Sequence, residues 1–360
     1  MGLPDVHKPD GTEIDPHLEM RRPFRLFAGV LPDDQGGTSR TRDVAEAVID
    51  VLGWIRRRAT DHIISFSSYQ LTCPYPCATV RTGRTTMKLA LIGAGGKMGV
   101  RLARNLVNSP YEVAYVEKAD VGRERLKEAI GADCVELDEA IKGARAVILA
   151  VPDTAIGAVA KIVVPQIEPG TMVIALDAAA PHAGHLPERA DITYFVTHPC
   201  HPPIFCDEPK TEALHDHFGG IAAKQSIVNA LMQGPEEHYT LGEDIAKTIW
   251  APILRSHRVT VDQMALLEPG LSETVAATLL LAMRHAMDDV VRRGVDKTTA
   301  RDFLLGHMNI LSAVIFEEVD GVFSDACNKA IENAMPVLMQ PGWLKVLEPE
   351  EINESIRRIT

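Results

Sequence analysis

Apolar and polar positions alternate in two different rhythms along the chain, and the rhythm changes near Met87 and again near residue 206. Leu89–Ile92, Ala146–Val151 and Met172–Leu176 are short unbroken apolar runs, the pattern of strands buried on both faces of a parallel sheet. Glu112–Glu117 alternates and is rich in strand formers, and Ile192–Val196 continues the series. Helical periodicity separates these runs, first through Val100, Leu102, Ala103, Leu106 and Val107, then over Asp153–Val164. Strands alternating with helices predict an α/β Rossmann domain with a parallel, doubly wound sheet. After about residue 206 long helical patterns dominate: Val259–Leu267, then Leu271–Arg293 with a stripe of Val275, Leu279, Leu280, Met283, Met287 and Val290. Asp296 is placed to cap a further helix from Lys297 to about Glu318, because its carboxylate accepts from the first free N–H groups. The expected organisation is an NAD-binding domain over 87–215 and an all-α domain over 216–360. Substrate would bind between them, and the helices would also pair two subunits as a homodimer.

The stretch 1–86 has a different texture, with Pro/Asp/Gly-rich segments such as Pro32–Gly37 and one amphipathic pattern near Val44–Arg57. It is expected to be a disordered extension, or to precede a translation start at Met87. Composition narrows the function. A net charge of −12 argues against nucleic acid or an anionic membrane surface as partner. No membrane span or targeting segment is expected. Six scattered cysteines in 360 residues form no disulfide framework and fit the cytoplasm; Cys73 and Cys77 match no common metal spacing.

Chemistry enters at Gly93-Ala94-Gly95-Gly96-Lys97-Met98-Gly99, which joins the first strand directly to a helix. Strand, glycine turn, helix is the context in which backbone N–H groups hold a dinucleotide's diphosphate at a helix N-terminus. The spacing reads best as G-x-x-G-x-x-G through Gly93, Gly96 and Gly99. Glu117 closes the second strand about 20 residues on, where an acid accepts from the ribose 2′-hydroxyl and disfavours a 2′-phosphate, so NAD is expected over NADP. A solvated strand end is the alternative for Glu117. Asp153 follows the next strand on the same sheet edge and is a cofactor-contact candidate.

The second half offers His198 and His201 just past a strand, and Glu268 and Glu273 flanking Pro269-Gly270. By pattern alone these are either cation ligands or ordinary loop and helix-end residues. Lys224 is either an acid–base group or a solvent-facing lysine. Arg255 and Arg258 read mainly as a surface cluster.

Four segments resemble the D-apionate oxidoisomerases, within the 6-phosphogluconate and 3-hydroxyisobutyrate dehydrogenase superfamily. They are His198-Pro199-Cys200-His201-Pro202-Pro203, Gly219–Gln225, Met232–Tyr239 and Leu266–Glu273. The resemblance implies an enzyme of sugar-acid catabolism that oxidises D-apionate with NAD and rearranges it to 3-oxo-isoapionate. It implies His198 and Glu268 as ligands of a divalent metal, with His201 and Glu273 close behind; a nitrogen and oxygen donor set suits zinc first, with manganese or magnesium next. Lys224 and His201 are the catalytic candidates. The wider superfamily places an asparagine three or four residues after its catalytic lysine, whereas Lys224 is followed only by Asn229. Two other functions stay open: a metal-independent or decarboxylating hydroxyacid dehydrogenase, and a non-catalytic NAD-binding redox sensor.

Overall fold

The computed structural model describes residues 86–360; the expectations for the preceding segment fall outside them. Seven strands form one sheet in the order β2-β1-β3-β4-β5-β6-β7. They are β1 (Lys88–Ile92), β2 (Glu112–Val116), β3 (Ala146–Leu149), β4 (Met172–Ala175), β5 (Thr193–Pro199), β6 (Gln225–Gln233) and β7 (Ile253–Arg258). The first five are mutually parallel. Their crossovers include α1 (Lys97–Leu106), α2 (Asp120–Ile130), α3 (Asp153–Val163) and the single turn α4 (Ala179–His182). Every residue of β3 and β4 is buried, as their unbroken apolar runs require. Leu89, Leu91, Leu102, Leu106, Ile148 and Ile174 pack into one core, each contributing about 1.5–3 kcal/mol by leaving water.

The sheet continues past residue 215, where the helical half was expected to begin. β6 runs antiparallel to β5, α5 (His238–Ile249) follows it, and β7 lies parallel to β6 at the edge. Asn229 disguises β6. It interrupts the apolar run Ile227–Leu231 yet is fully buried, its amide donating to Ser256 Oγ at 2.9 Å. In β7 the polar Arg255, Ser256 and His257 leave too little apolar alternation to mark a strand.

Beyond the sheet come α6 (Val261–Ala265), a π-helix (Leu266–Ala277), α7 (Thr278–Arg292), α8 (Lys297–Ile315), α9 (Asp325–Leu338) and α10 (Pro349–Ile359). Asp296 caps α8 through the Thr299 N–H, as its position implied. The continuous helix Val261–Arg292 is long and apolar enough to cross a membrane by length and composition alone. It also carries Glu268 and Glu273, and most of its apolar surface faces outward.

α10 braces the start of that helix from behind. Ile352 and Ile356 pack against Ala179 and Ala265, and a Cβ on Gly270 would collide with Ile352. The His182 ring spans Asp262 at 3.0 Å and Asn353 at 2.8 Å, joining α4, α6 and α10.

Candidate active site

Because β1 to β5 are parallel, their carboxyl ends share one edge of the sheet, and the strand order reverses between β1 and β3. Ligands of such sheets bind at that edge and near that reversal. Gly93 turns the chain out of β1 with φ +79°, a conformation in which a side chain is strained. A Cβ on Gly99 would strike the Gly93 carbonyl oxygen, so the turn closes tightly onto α1 only with glycine there. The α1 N-terminus has no side-chain cap and no acid in its first turn. Its free N–H groups are therefore available to an anion. Glu117 lies beside the turn, its carboxylate accepting from the Gly95 and Ala119 N–H groups at 3.0 Å each. That position suits a ribose acceptor.

A cavity of about 440 Å³ opens from this turn. Its walls are Gly96, Lys97 and Met98 on one side, Ala150 to Asp153 behind, and Leu176, Asp177, His198 and Glu268 opposite. Asp177, His198 and Glu268 each direct one ligand-type atom into a cluster whose atoms lie within 4.8 Å of one another. Each is held by its own element. Asp177 ends β4 and is pinned by the Ala179 N–H at 2.6 Å. His198 ends β5, with Nδ1 at 2.9 Å from the Leu176 carbonyl oxygen. A proton donated there from Nδ1 leaves Nε2 as a lone-pair donor, the usual arrangement for a metal-binding imidazole.

Glu268 arrives on the π-helix, and the helix type matters. In an α-helix, residues five apart are separated by about 140° around the axis. The i→i+5 bonding of a π-helix brings them close to one face. Glu268 and Glu273 are five apart and hydrogen-bond each other, while Glu268 also bonds Asp177.

The charges in this cluster oppose one another. Burial, then Asp177 and Glu273, push the Glu268 carboxyl up to about 9. Burial, then Asp177 and Glu273, raise Asp153 to about 6. Burial and Asp177 also raise Glu273. Burial pushes His198 the other way, favouring neutral imidazole against the opposing pull of Asp177. Four carboxyl groups around a neutral imidazole concentrate negative charge in one place, and oxygen and imidazole donors are of the type that could hold a divalent cation.

The structure thus brings together Gly96, Lys97, Met98, Asp153, His198 and Glu268 from the expected set, with Gly93, Gly95, Gly99 and Glu117 forming the turn beside them. Asp177 is not among the residues expected from the sequence, although it directly follows the apolar run Met172–Leu176. Its position at the carboxyl end of β4, matching Glu117 and Asp153 on their strands, was the available signal. Lys224 is exposed and does not line the cavity; its backbone N–H donates to Glu208. His201 sits outside the lining too, its ring centroid 6.2 Å from that of His198. Arg258 pairs with Glu236 and lies at the opposite end of β7 from this edge. Asn229 is inside the sheet, opposite Thr197, remote from any proton-transfer role.

Fold and cavity together define an NAD-dependent dehydrogenase of the 6-phosphogluconate dehydrogenase type. Residues 88–185 match the NAD binding domain of 6-phosphogluconate dehydrogenase, and residues 206–360 the C-terminal domain of the decarboxylating phosphogluconate dehydrogenase. The chain is 66% identical over 272 residues to a D-apionate oxidoisomerase of Rhizobium rhizogenes, covering 76% of this chain and 99% of that one. A D-apionate oxidoisomerase of Cupriavidus necator is 66% identical over 273 residues, with the same coverage. A solved Cupriavidus necator structure, described as a semialdehyde dehydrogenase NAD-binding protein in complex with calcium and NAD, is 66% identical. It superposes with a TM-score of 0.76 over 76% of this chain and all of that one. This chain belongs to the D-apionate oxidoisomerase family.

Proposed function

We propose that this protein oxidises D-apionate with NAD and rearranges the product skeleton to 3-oxo-isoapionate, with a divalent metal held by Asp177, His198 and Glu268. The observation carrying this reading is the single cavity that joins the glycine turn to the Asp177–His198–Glu268 cluster. NAD supplies the hydride acceptor, and a bound divalent ion polarises adjacent substrate oxygens. The protein's own groups do the rest. The turn and the α1 N-terminus fix the dinucleotide, and Glu117 takes its ribose. Asp177, His198 and Glu268 would hold the ion in the cavity that the glycine turn also lines. Asp153 stands on the cavity wall and, with its carboxyl at about 6, exchanges a proton near neutral pH. Lys224 has no part in this scheme.

The donor set of two carboxylates and one imidazole includes no thiolate. It accommodates calcium, magnesium or manganese as readily as the zinc expected from sequence, and the calcium bound by the Cupriavidus relative supports a harder ion. Cys134, Cys200, Cys206 and Cys327 are unpaired, which suits a reducing compartment such as the cytoplasm.

The protein acts, on this reading, as a homodimer. Seventeen large apolar side chains between Leu280 and Leu338 are exposed, among them Phe303, Ile315 and Val337, and neither α7 nor α9 has a buried residue. At roughly 60 Å² each they offer about 1,000 Å², above the ~800 Å² per partner of a stable interface.

NADH absorbance tests the activity. Purified protein receives NAD and D-apionate after chelation, and again with calcium, magnesium, manganese or zinc restored. Metal-dependent NADH formation with a rearranged product is the expected result. Turnover unaffected by chelation, or an unrearranged oxidised product, would overturn the metal-assisted reading.

A further inference from the structure

A second cavity, of about 370 Å³, lies on the outer face of α1. Lys97, Arg101, Arg104 and Arg125 line it together with Phe218 and Ile221, and no carboxylate does. In a chain of net charge −12, four cations meeting in one cavity without an acid in its lining are an exception that calls for an anion. Lys97 and Arg104 have no ion-pair or hydrogen-bond partner among the described residues. Arg125 donates only to the Gly95 carbonyl, at 2.6 Å. Arg101 donates to the Gly219 carbonyl and stands 3.8 Å from Asp216. Asp216 faces Arg101 through Oδ1, while its Oδ2 accepts from the Ile221, Ala222 and Ala223 N–H groups, so it offsets one of the four cations and leaves Lys97, Arg104 and Arg125 without an acid.

The apolar part of the lining is exposed and lies against the cations. Phe218 is 62% and Ile221 58% exposed, and the Arg101 guanidinium lies 4.8 Å from the Phe218 ring centroid. Cations beside an exposed aromatic face match a phosphate carried on a planar or apolar body. The cavity shares Lys97 and Met98 with the cofactor cavity but extends along α1 to Arg104, seven residues or about 10 Å further on. It therefore reaches well beyond the diphosphate position at the helix N-terminus.

The aromatic wall also touches the active site. Phe218 packs edge-on against His201 at 6.0 Å and its carbonyl oxygen lies 3.0 Å from His201 Nδ1; His201 in turn packs edge-on against His198. His201 is held at φ +59°, a conformation rare for a side-chain-bearing residue and one that its surroundings must enforce. A ligand that moves Phe218 has a direct contact route to His198.

We propose that this basic cavity binds a phosphorylated metabolite with a planar or apolar body, and that its occupancy is relayed through Phe218 and His201 towards His198. The binding half is independent of any metal at the active site.

Isothermal titration of inorganic phosphate and of phenyl phosphate into NAD-saturated, metal-free protein tests it. One site is expected, with sub-millimolar affinity for phenyl phosphate and about fivefold weaker affinity for phosphate. Arg104→Ala should weaken both about fivefold or more, since it removes one charge-assisted contact. The His201 imidazole NMR resonances should shift on binding. With Phe218→Leu, phosphate should still bind but the His201 shift should vanish. The proposal falls if no heat appears up to about 10 mM ligand, if Arg104→Ala binds as the unmodified protein does, or if phosphate displaces NAD. Displacement would make the cavity part of the cofactor's own diphosphate site. Equal affinity for the two ligands removes the aromatic face from recognition, and an unchanged His201 signal removes the relay.

Discussion

Replacing Glu268 by glutamine should make the metal-free protein more stable while abolishing its response to metal. At pH 7 the unfolded chain carries Glu268 ionised, near its ordinary value of 4.5, whereas the folded chain holds the proton because burial and Asp177 push the carboxyl up to about 9. The folded state thus binds more protons, and stability falls as pH rises through the window from 4.5 to about 9. Across the part of that window below pH 7, the cost at 1.36 kcal/mol per unit is about 3 kcal/mol. Glu268 retains some solvent access, so we halve this for screening, to between about 1 and 2 kcal/mol. Glutamine keeps the shape and a donor towards Asp177 without the titration, so metal-free Glu268→Gln should melt about 3–6 °C higher at pH 7. The gain should grow towards pH 8 and disappear below about pH 4.5. Calcium at 100 times its dissociation constant should add about 2.7 kcal/mol to the unmodified protein and far less to the variant. Thermal melts in chelator and in calcium, at pH 4.5, 7 and 8, read all of this. A chelated variant melting no higher than the unmodified protein at pH 7 would refute the electrostatic reasoning, and a preserved calcium shift would refute Glu268 as a ligand.

Two other perturbations probe separate parts of the molecule. Glu117→Ala should raise KM for NAD about tenfold with kcat little changed, because a ribose acceptor is lost but no reacting atom is touched; it should also narrow the preference for NAD over NADP, read from steady-state kinetics with both cofactors. Phe303→Asp places a charge in the exposed apolar face of α8 and should shift sedimentation velocity from dimer towards monomer at micromolar concentration, with the NAD site intact by fluorescence titration. An unchanged sedimentation profile would remove that face from the interface.

How much of this was legible in the sequence follows from how local each feature is. Strands β1, β3 and β4 were readable because burial on both faces leaves an unbroken apolar run. The glycine turn was readable because its chemistry lies within seven consecutive residues. Asp296 was readable because a cap bonds three residues ahead. β6 was not, since buried Asn229 interrupts its apolar run and the partner of its amide N–H, Ser256, lies on a strand 27 residues away. Lys224 was a candidate by residue type and by resemblance, and neither encodes the tertiary placement that leaves it out of the cavity lining.

The acidic cluster shows the limit most clearly. Asp177 and His198 end neighbouring parallel strands, and the register Ala175↔Val196 sets them side by side; no spacing between them in sequence encodes this. Glu268 joins them only because the helix there is wound with i→i+5 bonding, so that it and Glu273 face the same way. The π-helix is the costlier winding and usually persists where function holds it. Here it gathers carboxylates whose mutual repulsion raises Glu268, Glu273 and Asp153 together. A fold under selection for stability alone would separate those groups, and an α-helical turn through Pro269 and Gly270 would turn Glu273 away from Glu268. The unfavourable winding and the unfavourable charge meet at the same residues, and the metal proposed for Asp177, His198 and Glu268 would relieve the charge.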